Sequence, residues 1–399
     1  MSYRRHRVIF SACVVGGALT LSGVTTKATD VRAVFVIAME NHNWTQPANQ
    51  FTGGIQQVFQ NSAAPYLNGL VDGSSPISDQ VAYAAAYHNV LATEAGANPH
   101  IHPSEPNYIW AEAGTNFGVL NDNDPFRVPG GTNQETKQHL TTQLTDAGWT
   151  WRSYQEDIDL TPDGSTLTNM PLPPSLWSVP LKSLSGVFSA SSVTNEFNGS
   201  KQYNYAAKHN PMVFFSDSNG GNDATPANPL SKQYAPLQQL FTDLASGTVA
   251  NYNWITPNQY NDMHSTLSGG FNGLTGDAAR INQGDNFLSQ IVPAIMASDA
   301  YRDHGLIVLW WDESEGDGVA GDNRDDFSHT LPFIIISKDA HANVGGRPYA
   351  SSVNLSHSSF LRTMQEIFGV GPLLGDAANA NGLDDLFKPG RLHEAPRAK

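Results

Sequence analysis

Residues 31–44 read VRAVFVIAMENHNW, an apolar run that ends on Glu40 and Asn41. The run shows no alternation of apolar and polar residues, so it predicts a strand that is buried on both faces, as strands of parallel sheets are. Residues 305–318, GLIVLWWDESEGDG, repeat the arrangement, and there the apolar run ends on Asp312 and Glu313. Two buried strands that each end on a pair of polar side chains predict a functional site where those strands end.

Further apolar runs and helical patterns extend this reading along the chain. The predicted strands cover residues 31–39, 149–154, 212–215, 253–256, 306–311 and 331–337. The predicted helices cover residues 133–148, 284–298 and 356–369, and Gly148 and Gly369 are suited to end two of them. Strands and helices in alternation predict an α/β fold with a mostly parallel central sheet flanked by helices. Residues 40–130 and 155–205 are rich in loop signals and are expected to form caps around a site.

The composition is that of a globular, acidic protein. Of the 399 residues, 40% are hydrophobic and 15% are charged, and the formal net charge is −15. Because nucleic acids and anionic lipid surfaces are themselves negative, this charge argues against binding to either. An anionic small substrate is still compatible with it, since one metal ion reverses the local field. The sequence makes no prediction of oligomeric state.

The first 28 residues have the pattern of an export signal. Arg4, Arg5 and Arg7 precede a short apolar stretch, and small residues lead to a cleavage point near Ala28. The pattern predicts a signal peptide, residues 1–28, whose removal leaves residues 29–399 as a single domain with cap insertions. The protein is then secreted or periplasmic, without a stable membrane anchor. A membrane anchor is the alternative, although the apolar stretch is short and rich in glycine for a stable span.

Polar side chains follow four of the predicted strands. They are Glu40 and Asn41, Ser216 and Asp217, Asn258 with Asp262 and His264, and Asp312 with Glu313. In open α/β sheets ligands bind beyond the carboxyl ends of the strands, so these groups are expected to converge. Oxygen-rich clusters suit a hard divalent metal. The only cysteine, Cys13, lies in the predicted leader, so a metal site in the mature protein is expected to use oxygen and nitrogen ligands. The alternative is that each acid caps a helix or lies in solvent.

Residues 100–114, HIHPSEPNYIWAEAG, supply a candidate nucleophile. Ser104 precedes Pro106, a residue suited to the first turn of a helix, and a helical pattern follows. A hydroxyl at a helix N-terminus faces unpaired backbone N–H groups and the positive end of the helix dipole, which together favour phosphate. The alternative is that Ser104 only caps the helix. The local sequence does not separate the two interpretations.

Of the 13 histidines, two are the better candidates for the site. His264 and His329 each adjoin a predicted strand and an acidic loop, and His102 lies two residues before Ser104. His209 precedes the predicted strand 212–215, which places it at the end of the sheet away from the site. A structural role is therefore expected for His209.

Taken together, nine motifs resemble the phosphoesterase family that contains bacterial phospholipases C and secreted acid phosphatases, within the alkaline phosphatase superfamily. In chain order they are MENHNW, HPSEPNY, WTWRSYQED, KHNPMVFF, WITPNQYNDMH, GDNFL, LWWDES, HTLPFIIIS and HSSFLRTMQEIFG. Each motif alone is weak, but nine in the right order over most of the mature chain make a specific signal. The form HPSEPNY looks closer to the acid phosphatases than to the phospholipases.

The resemblance implies roles for individual residues. The set of metal-site residues that it implies is Glu40, Asn41, Ser104, Asp312 and Glu313. It further implies that Ser104 is the nucleophile and that Asn41 also touches a phosphoryl oxygen. His264 and His329 match histidines that contact phosphate or a metal, and His102 is a candidate for substrate binding.

One departure concerns the number of metal ions. Many members of the superfamily bind two zinc ions through an Asp-x-x-x-His spacing, whereas Asp262 and His264 are only two residues apart. We therefore expect one divalent metal ion, with histidines in place of the second.

The function predicted from the sequence is a secreted, metal-dependent phosphomonoesterase that acts through a phosphoserine, with an acidic pH optimum. A phospholipase C-type phosphodiesterase that cleaves phospholipid head groups is the alternative on the same site. A secreted binding protein with an inactive version of the site is a third interpretation, from another functional class.

Overall fold

A computed structural model describes residues 31–46, 57–90, 101–123, 125, 129–158, 188–189, 202–203, 205–223, 228–267, 269–314, 329–343 and 345–392. The predicted leader, residues 1–28, and most of the predicted cap 155–205 lie outside these ranges. Within them, no helix is both long and apolar enough to cross a lipid bilayer.

The described residues form a mixed α/β fold, as predicted. The strands are β1 (Ala33–Met39), β2 (Val81–Ala84), β3 (Tyr87–His88), β4 (Trp151–Gln155), β5 (Phe188–Ser189), β6 (Gln202–Tyr203), β7 (Tyr234–Pro236), β8 (Tyr252–Thr256), β9 (Gly305–Trp311), β10 (Phe333–Ile336), β11 (Ala342–Asn343), β12 (Arg347–Ser351) and β13 (Leu355–Ser356). The helices are α1 (Pro65–Asp72), α2 (Ser104–Ala113), α3 (Leu140–Asp146), α4 (Gln238–Ser246), α5 (Gly276–Met296), α6 (Asp299–Arg302) and α7 (His357–Phe368). Nine strands make one sheet in the order β11-β12-β2-β10-β9-β1-β8-β4-β7.

The centre of this sheet is parallel. β1 pairs in parallel with β9 on one side and with β8 on the other, while β10 pairs antiparallel with β9 and with β2. Every residue of β1 and β9 is buried, which explains their unbroken apolar runs. In the register between them, Met39 lies opposite Trp311. The next residues, Glu40 and Asp312, therefore leave the sheet side by side.

Two of the three predicted helices differ in length from the observed ones. In place of 133–148, only Leu140–Asp146 is helical. In place of 284–298, α5 begins at Gly276 and continues through Pro293 to Met296. The predicted helix 356–369 is close to the observed α7, which starts with a capping box at Ser356 and ends at Gly369 in the left-handed conformation that glycine favours.

The predicted strand 212–215 is wrong. Residues Pro211–Phe214 form a 3₁₀ helix that is buried throughout, and Phe215 makes only an isolated bridge with Gln134. Proline lacks the N–H that a sheet ladder needs, and its fixed φ suits the first position of a helix. A short buried apolar run does not by itself distinguish a strand from a helical turn.

Candidate active site

The carboxyl ends of β1 and β9 form the floor of the site. Glu40 and Asp312 are completely buried, and Glu313 is 2% exposed. The backbone N–H of Asn41 donates to Asp312 Oδ1 at 3.1 Å, so the end of one strand holds the first acid of the other. The two polar pairs that the sequence places after separate apolar runs therefore lie together.

Helix α2 brings Ser104 to these acids. The Ser104 hydroxyl donates to Glu40 Oε2 at 3.0 Å and lies 3.3 Å from Glu313 Oε1. Ser104 is the first residue of α2, and the preceding residue, Pro103, makes no side-chain capping bond. Because the hydroxyl points to two carboxylates instead of its own helix, Ser104 is not an N-cap, and that alternative is excluded.

A carboxylate binds at the start of α2, where the sequence predicts a position that favours phosphate. Asp122 Oδ1 accepts a hydrogen bond from the backbone N–H of Glu105 at 3.2 Å, and its other oxygen pairs with Lys208 Nζ at 2.8 Å. An acid at a helix N-terminus is favoured by the dipole. The backbone N–H that directly follows Ser104 is thus already paired with a side chain of this protein.

A second set of side chains surrounds Glu40. The Tyr108 hydroxyl donates to Glu40 Oε1 at 2.5 Å, and His209 Nε2 lies 3.3 Å from the same oxygen. His209 Nδ1 lies 3.6 Å from Asp262 Oδ2, and one ligand atom each of Glu40, His209 and Asp262 lies within 4.8 Å of the others. Two carboxylates and an imidazole at such distances form a candidate metal group.

The electrostatics of the buried acids favour a cation among them. Burial raises the pKa of Glu40, Asp262 and Asp312 well above the ordinary value of a carboxyl group. Repulsion by Asp312 raises the pKa of Glu40 and of Asp262 further, and repulsion by Glu313 raises that of Asp312. A cation bound among these groups would remove both penalties, since it favours the ionised form of each acid.

The donor set fits a divalent cation. Asp312 Oδ2, Asp262 Oδ2 and Asn41 Oδ1 are buried and have no hydrogen-bond partner within the described part of the chain. Buried polar atoms are nearly always paired, and leaving one unpaired costs about 1–3 kcal/mol. Carboxylate and amide oxygens with one imidazole are ligands that a hard or borderline metal accepts.

The predicted histidines occupy different positions at this edge. His102 Nδ1 pairs with Glu313 Oε2 at 2.9 Å, and Asn107 donates to the same oxygen at 3.2 Å. The backbone N–H of His264 donates to Asp262 Oδ1 at 2.8 Å. Burial, followed by the charges of Lys208 and Arg280, lowers the pKa of His264 to about 4, so its ring is neutral near pH 7.

His329 is buried and precedes Thr330, whose backbone pairs with Trp44 and Thr45 just beyond the end of β1. A position of His329 at the site, and its contact with substrate, remain predictions.

At two of the four predicted strand ends, some of the predicted site residues lie away from the cluster of Glu40, Asp262 and Asp312. Ser216 Oγ donates to Glu135, and Asp217 pairs with His139 Nε2 at 2.7 Å, so neither belongs with the acids. They follow a 3₁₀ helix and not a strand, which removes the reason for expecting them there. Asn258 organises the turn after β8 and bonds to Asp157, while Asp262 from the same loop reaches the site.

His209 is the main residue that the sequence interpretation missed. Its ring is 1% exposed, stacks on Tyr108 with centroids 5.2 Å apart, and touches Glu40. Burial, followed by the positive charge of Lys208, lowers its pKa well below the ordinary value. The expected structural role rested on the wrong strand at 212–215. Pro211 was the available signal, because it argues against a central strand.

The resemblance found in the motifs is confirmed by comparison with known proteins. The profile of the Phosphoesterase family matches residues 20–371. A phosphatidylinositol-3-phosphatase from Mycobacterium tuberculosis is 26% identical over 371 residues, which cover 93% of this chain and 88% of that protein. A phosphate-repressible acid phosphatase from Penicillium chrysogenum is 24% identical over 223 residues, 56% of this chain and 40% of that protein.

The solved structures found by structural comparison share little sequence with this chain. The phosphonate monoester hydrolase of Agrobacterium radiobacter gives a TM-score of 0.44 at 12% identity, over 90% of this chain and 78% of that one. A protein of the alkaline phosphatase superfamily from Vibrio parahaemolyticus gives 0.44 at 10% identity, over 87% and 69%. The family is shown by the sequence match, which spans most of the 399 residues: the chain belongs to the Phosphoesterase family and is a hydrolase of phosphoric ester bonds.

Proposed function

We propose that the protein is a secreted, metal-dependent phosphomonoesterase that works through a phosphoserine on Ser104. The observation that carries the proposal is the position of the Ser104 hydroxyl, buried between the carboxylates of Glu40 and Glu313. A serine in a purely structural role at a helix start bonds to its own backbone. This one bonds to two acids that neighbouring strands deliver. Export through the predicted leader 1–28 is part of the proposal.

The residues that would hold one divalent cation are Glu40, Asn41, Ser104, Asp312 and Glu313. Bound there, the cation would lower the pKa of the Ser104 hydroxyl and offset the negative charge that develops on the phosphoryl oxygens. Glu40 belongs also to the group with His209 and Asp262, so it is expected to be a ligand whichever group the ion prefers.

The reaction steps follow from the groups around Ser104. The hydroxyl proton points to Glu40 Oε2, which is therefore placed to accept it as Oγ attacks phosphorus in line. The Oγ–P bond forms, the P–O bond to the alcohol breaks, and the alkoxide leaves with the electron pair and takes a proton from solvent. Water then attacks phosphorus and gives a proton to solvent. The Oγ–P bond breaks, phosphate leaves, and Ser104 regains its proton from Glu40.

Polar groups at the border of the site are proposed to bind the phosphoryl oxygens. They are Asn41, His102, His264 and His329. Fixed donors aimed at these oxygens stabilise the charge that builds up during transfer. The names of the relatives, a phosphatidylinositol-3-phosphatase and an acid phosphatase, support a phosphate monoester as substrate.

A comparison of two chromogenic substrates tests the proposal. The purified protein should hydrolyse p-nitrophenyl phosphate at least tenfold faster than p-nitrophenylphosphorylcholine. Chelator treatment should abolish this activity, and a divalent cation should restore it. A preference for the choline diester would favour the phospholipase C-type alternative. Full activity after demonstrated removal of all metal would contradict the metal-dependent mechanism, and inactivity toward every phosphate ester would favour a binding protein.

A further inference from the structure

His357 is buried directly beneath the end of β9. It is the first residue of α7 and has no exposed surface. Its Nε2 lies 2.7 Å from the backbone oxygen of Asp312, the first acid after β9. Its Nδ1 lies 2.9 Å from the Tyr87 hydroxyl and 3.1 Å from Trp310 Nε1. One imidazole thus joins a helix start, two strands and the main chain of a proposed metal ligand.

The partners determine which nitrogen carries the proton. The indole Nε1 of tryptophan is a donor only, so Nδ1 of His357 must be an acceptor. The backbone carbonyl of Asp312 is an acceptor only, so Nε2 of His357 must carry the proton and donate it. Both requirements are met by the same neutral tautomer. The Tyr87 hydroxyl can donate to Nδ1 as well, which reinforces it.

The bond from His357 Nε2 to the carbonyl of Asp312 means that both backbone groups of Asp312 are hydrogen-bonded. The N–H of Asp312 donates to Met39 O at 3.2 Å, and its carbonyl accepts from His357. With both backbone groups of the residue held, its carboxylate is directed to the N–H of Asn41. The next side chain, Glu313, is directed to Ser104.

We propose that His357 is a positioning residue of the active site: its neutral ring, oriented by Trp310 and Tyr87, fixes the main chain that aims the Asp312 and Glu313 carboxylates. The inference rests on the proposed function of these acids. Groups that orient metal-binding side chains typically contribute 10–100-fold to affinity or activity.

Two substitutions at this position separate positioning from simple core packing. His357→Gln keeps a donor near the position of Nε2 and an acceptor on the same amide, whereas His357→Leu keeps the bulk and neither bond. We expect His357→Leu to lose 10–100-fold in kcat for p-nitrophenyl phosphate, with KM changed less than threefold, and His357→Gln to retain at least a third of kcat. Equal losses in both variants, or wild-type kcat in His357→Leu, would overturn the proposal.

A second variant covers the case in which His357→Leu does not fold. Tyr87→Phe/Trp310→Phe removes both donors to Nδ1 while His357 remains, and kcat should fall about 3–30-fold, in keeping with the loss of orientation of one supporting group. Unchanged kcat in this double variant would also overturn the proposal.

A readout independent of turnover is the ¹⁵N spectrum of the histidine rings, in which His357 is assigned by its absence from His357→Gln. The wild type should show the neutral ring with the proton on Nε2. A proton on Nδ1 would overturn the proposal. The spectrum does not depend on a phosphoserine, so failure of the proposed function and failure of this inference are distinguishable.

Discussion

The main chain at the ends of β1 and β9 is held in each case by a buried histidine, but the two histidines have different hydrogen-bond partners. Each strand ends on an acid whose backbone carbonyl is held by a completely buried histidine. At β1, His42 Nδ1 lies 3.2 Å from Glu40 O, and its Nε2 lies 3.1 Å from Asp277 Oδ1. At β9, His357 holds Asp312 O, and its other nitrogen faces the donors of Tyr87 and Trp310.

The difference lies in the protons that each ring needs. Both of these partners of His42 are acceptors, so each nitrogen of its ring is placed to donate, an arrangement that favours the doubly protonated ring. His357 faces an acceptor on one side and donors on the other, and burial lowers its pKa to about 3. One strand end is therefore held by a ring that lies between two acceptors, Glu40 O and Asp277 Oδ1, and the other by a neutral ring.

The end of β1 also has an unusual backbone conformation. Asn41, between Glu40 and His42, has a φ of 41°, in the left-handed region where asparagine is tolerated better than most residues. The carbonyl that His42 holds is the one immediately before this turn. The comparison teaches that similar placement of two acids does not imply interchangeable supporting residues.

Glutamine at positions 42 and 357 tests the comparison directly, and among the histidine-to-glutamine variants we expect the largest effect here. At position 42 the amide oxygen of glutamine would face an acceptor, so His42→Gln should lose at least about tenfold in kcat. At position 357 the amide matches one acceptor and one donor, and most activity should remain. The measurement is kcat for p-nitrophenyl phosphate in variants with matched circular dichroism spectra. Wild-type kcat in His42→Gln would contradict the need for two donors at this position.

His139 is a buried histidine outside the site, so its substitution is a control for the comparison of His42 with His357. It also faces two acceptors, with Nε2 2.7 Å from Asp217 and Nδ1 3.3 Å from Glu112. His139→Gln should lower the free energy of unfolding by roughly 2 kcal/mol at pH 5.5, because it loses bonds between charged groups. The kcat should stay within about twofold of wild type, since the loss is one of stability. A loss of kcat as large as in His42→Gln would show that burial, and not position, sets these effects.

The pH dependence of this variant has a defined sign. Burial lowers the pKa of His139, but its bonds to Asp217 and Glu112 outweigh that and raise the pKa above the ordinary value. Stability from the protonated ring is therefore fully present below about pH 6.5, the unfolded value, and is lost as pH rises through the folded pKa. Urea unfolding at pH 5.5 and pH 9 should show a larger difference between wild type and His139→Gln at the lower pH.

The sequence predicted the parts of the fold and site that depend on local pattern. The unbroken apolar runs of β1 and β9 identified two buried parallel strands, and their ends placed Glu40 beside Asp312 because parallel strands end at one edge. Ser104 was identified by its position at a helix start. The match of these features to one family was specific because nine motifs kept their order.

The parts that failed depend on contacts distant in sequence. Pro211–Phe214 form a 3₁₀ helix that packs against α2, and the four apolar residues 212–215 alone do not distinguish such a turn from a strand. His209 was assigned to the wrong end of the sheet for this reason. The bonds from His42 to Asp277 and from His357 to Trp310 join residues 235 and 47 positions apart, which no local pattern encodes.

The central claim is that Ser104 becomes phosphorylated during turnover. The direct measurement is to quench wild type with substrate at low pH and to determine the mass of the peptide that contains Ser104. We predict a gain of one phosphoryl group on that peptide in wild type and none in Ser104→Ala, which should remain folded and lose at least about a thousandfold in kcat, since removal of a nucleophile typically costs several orders of magnitude. A Ser104→Ala protein that keeps more than about a tenth of wild-type kcat, well above that range, would contradict the account.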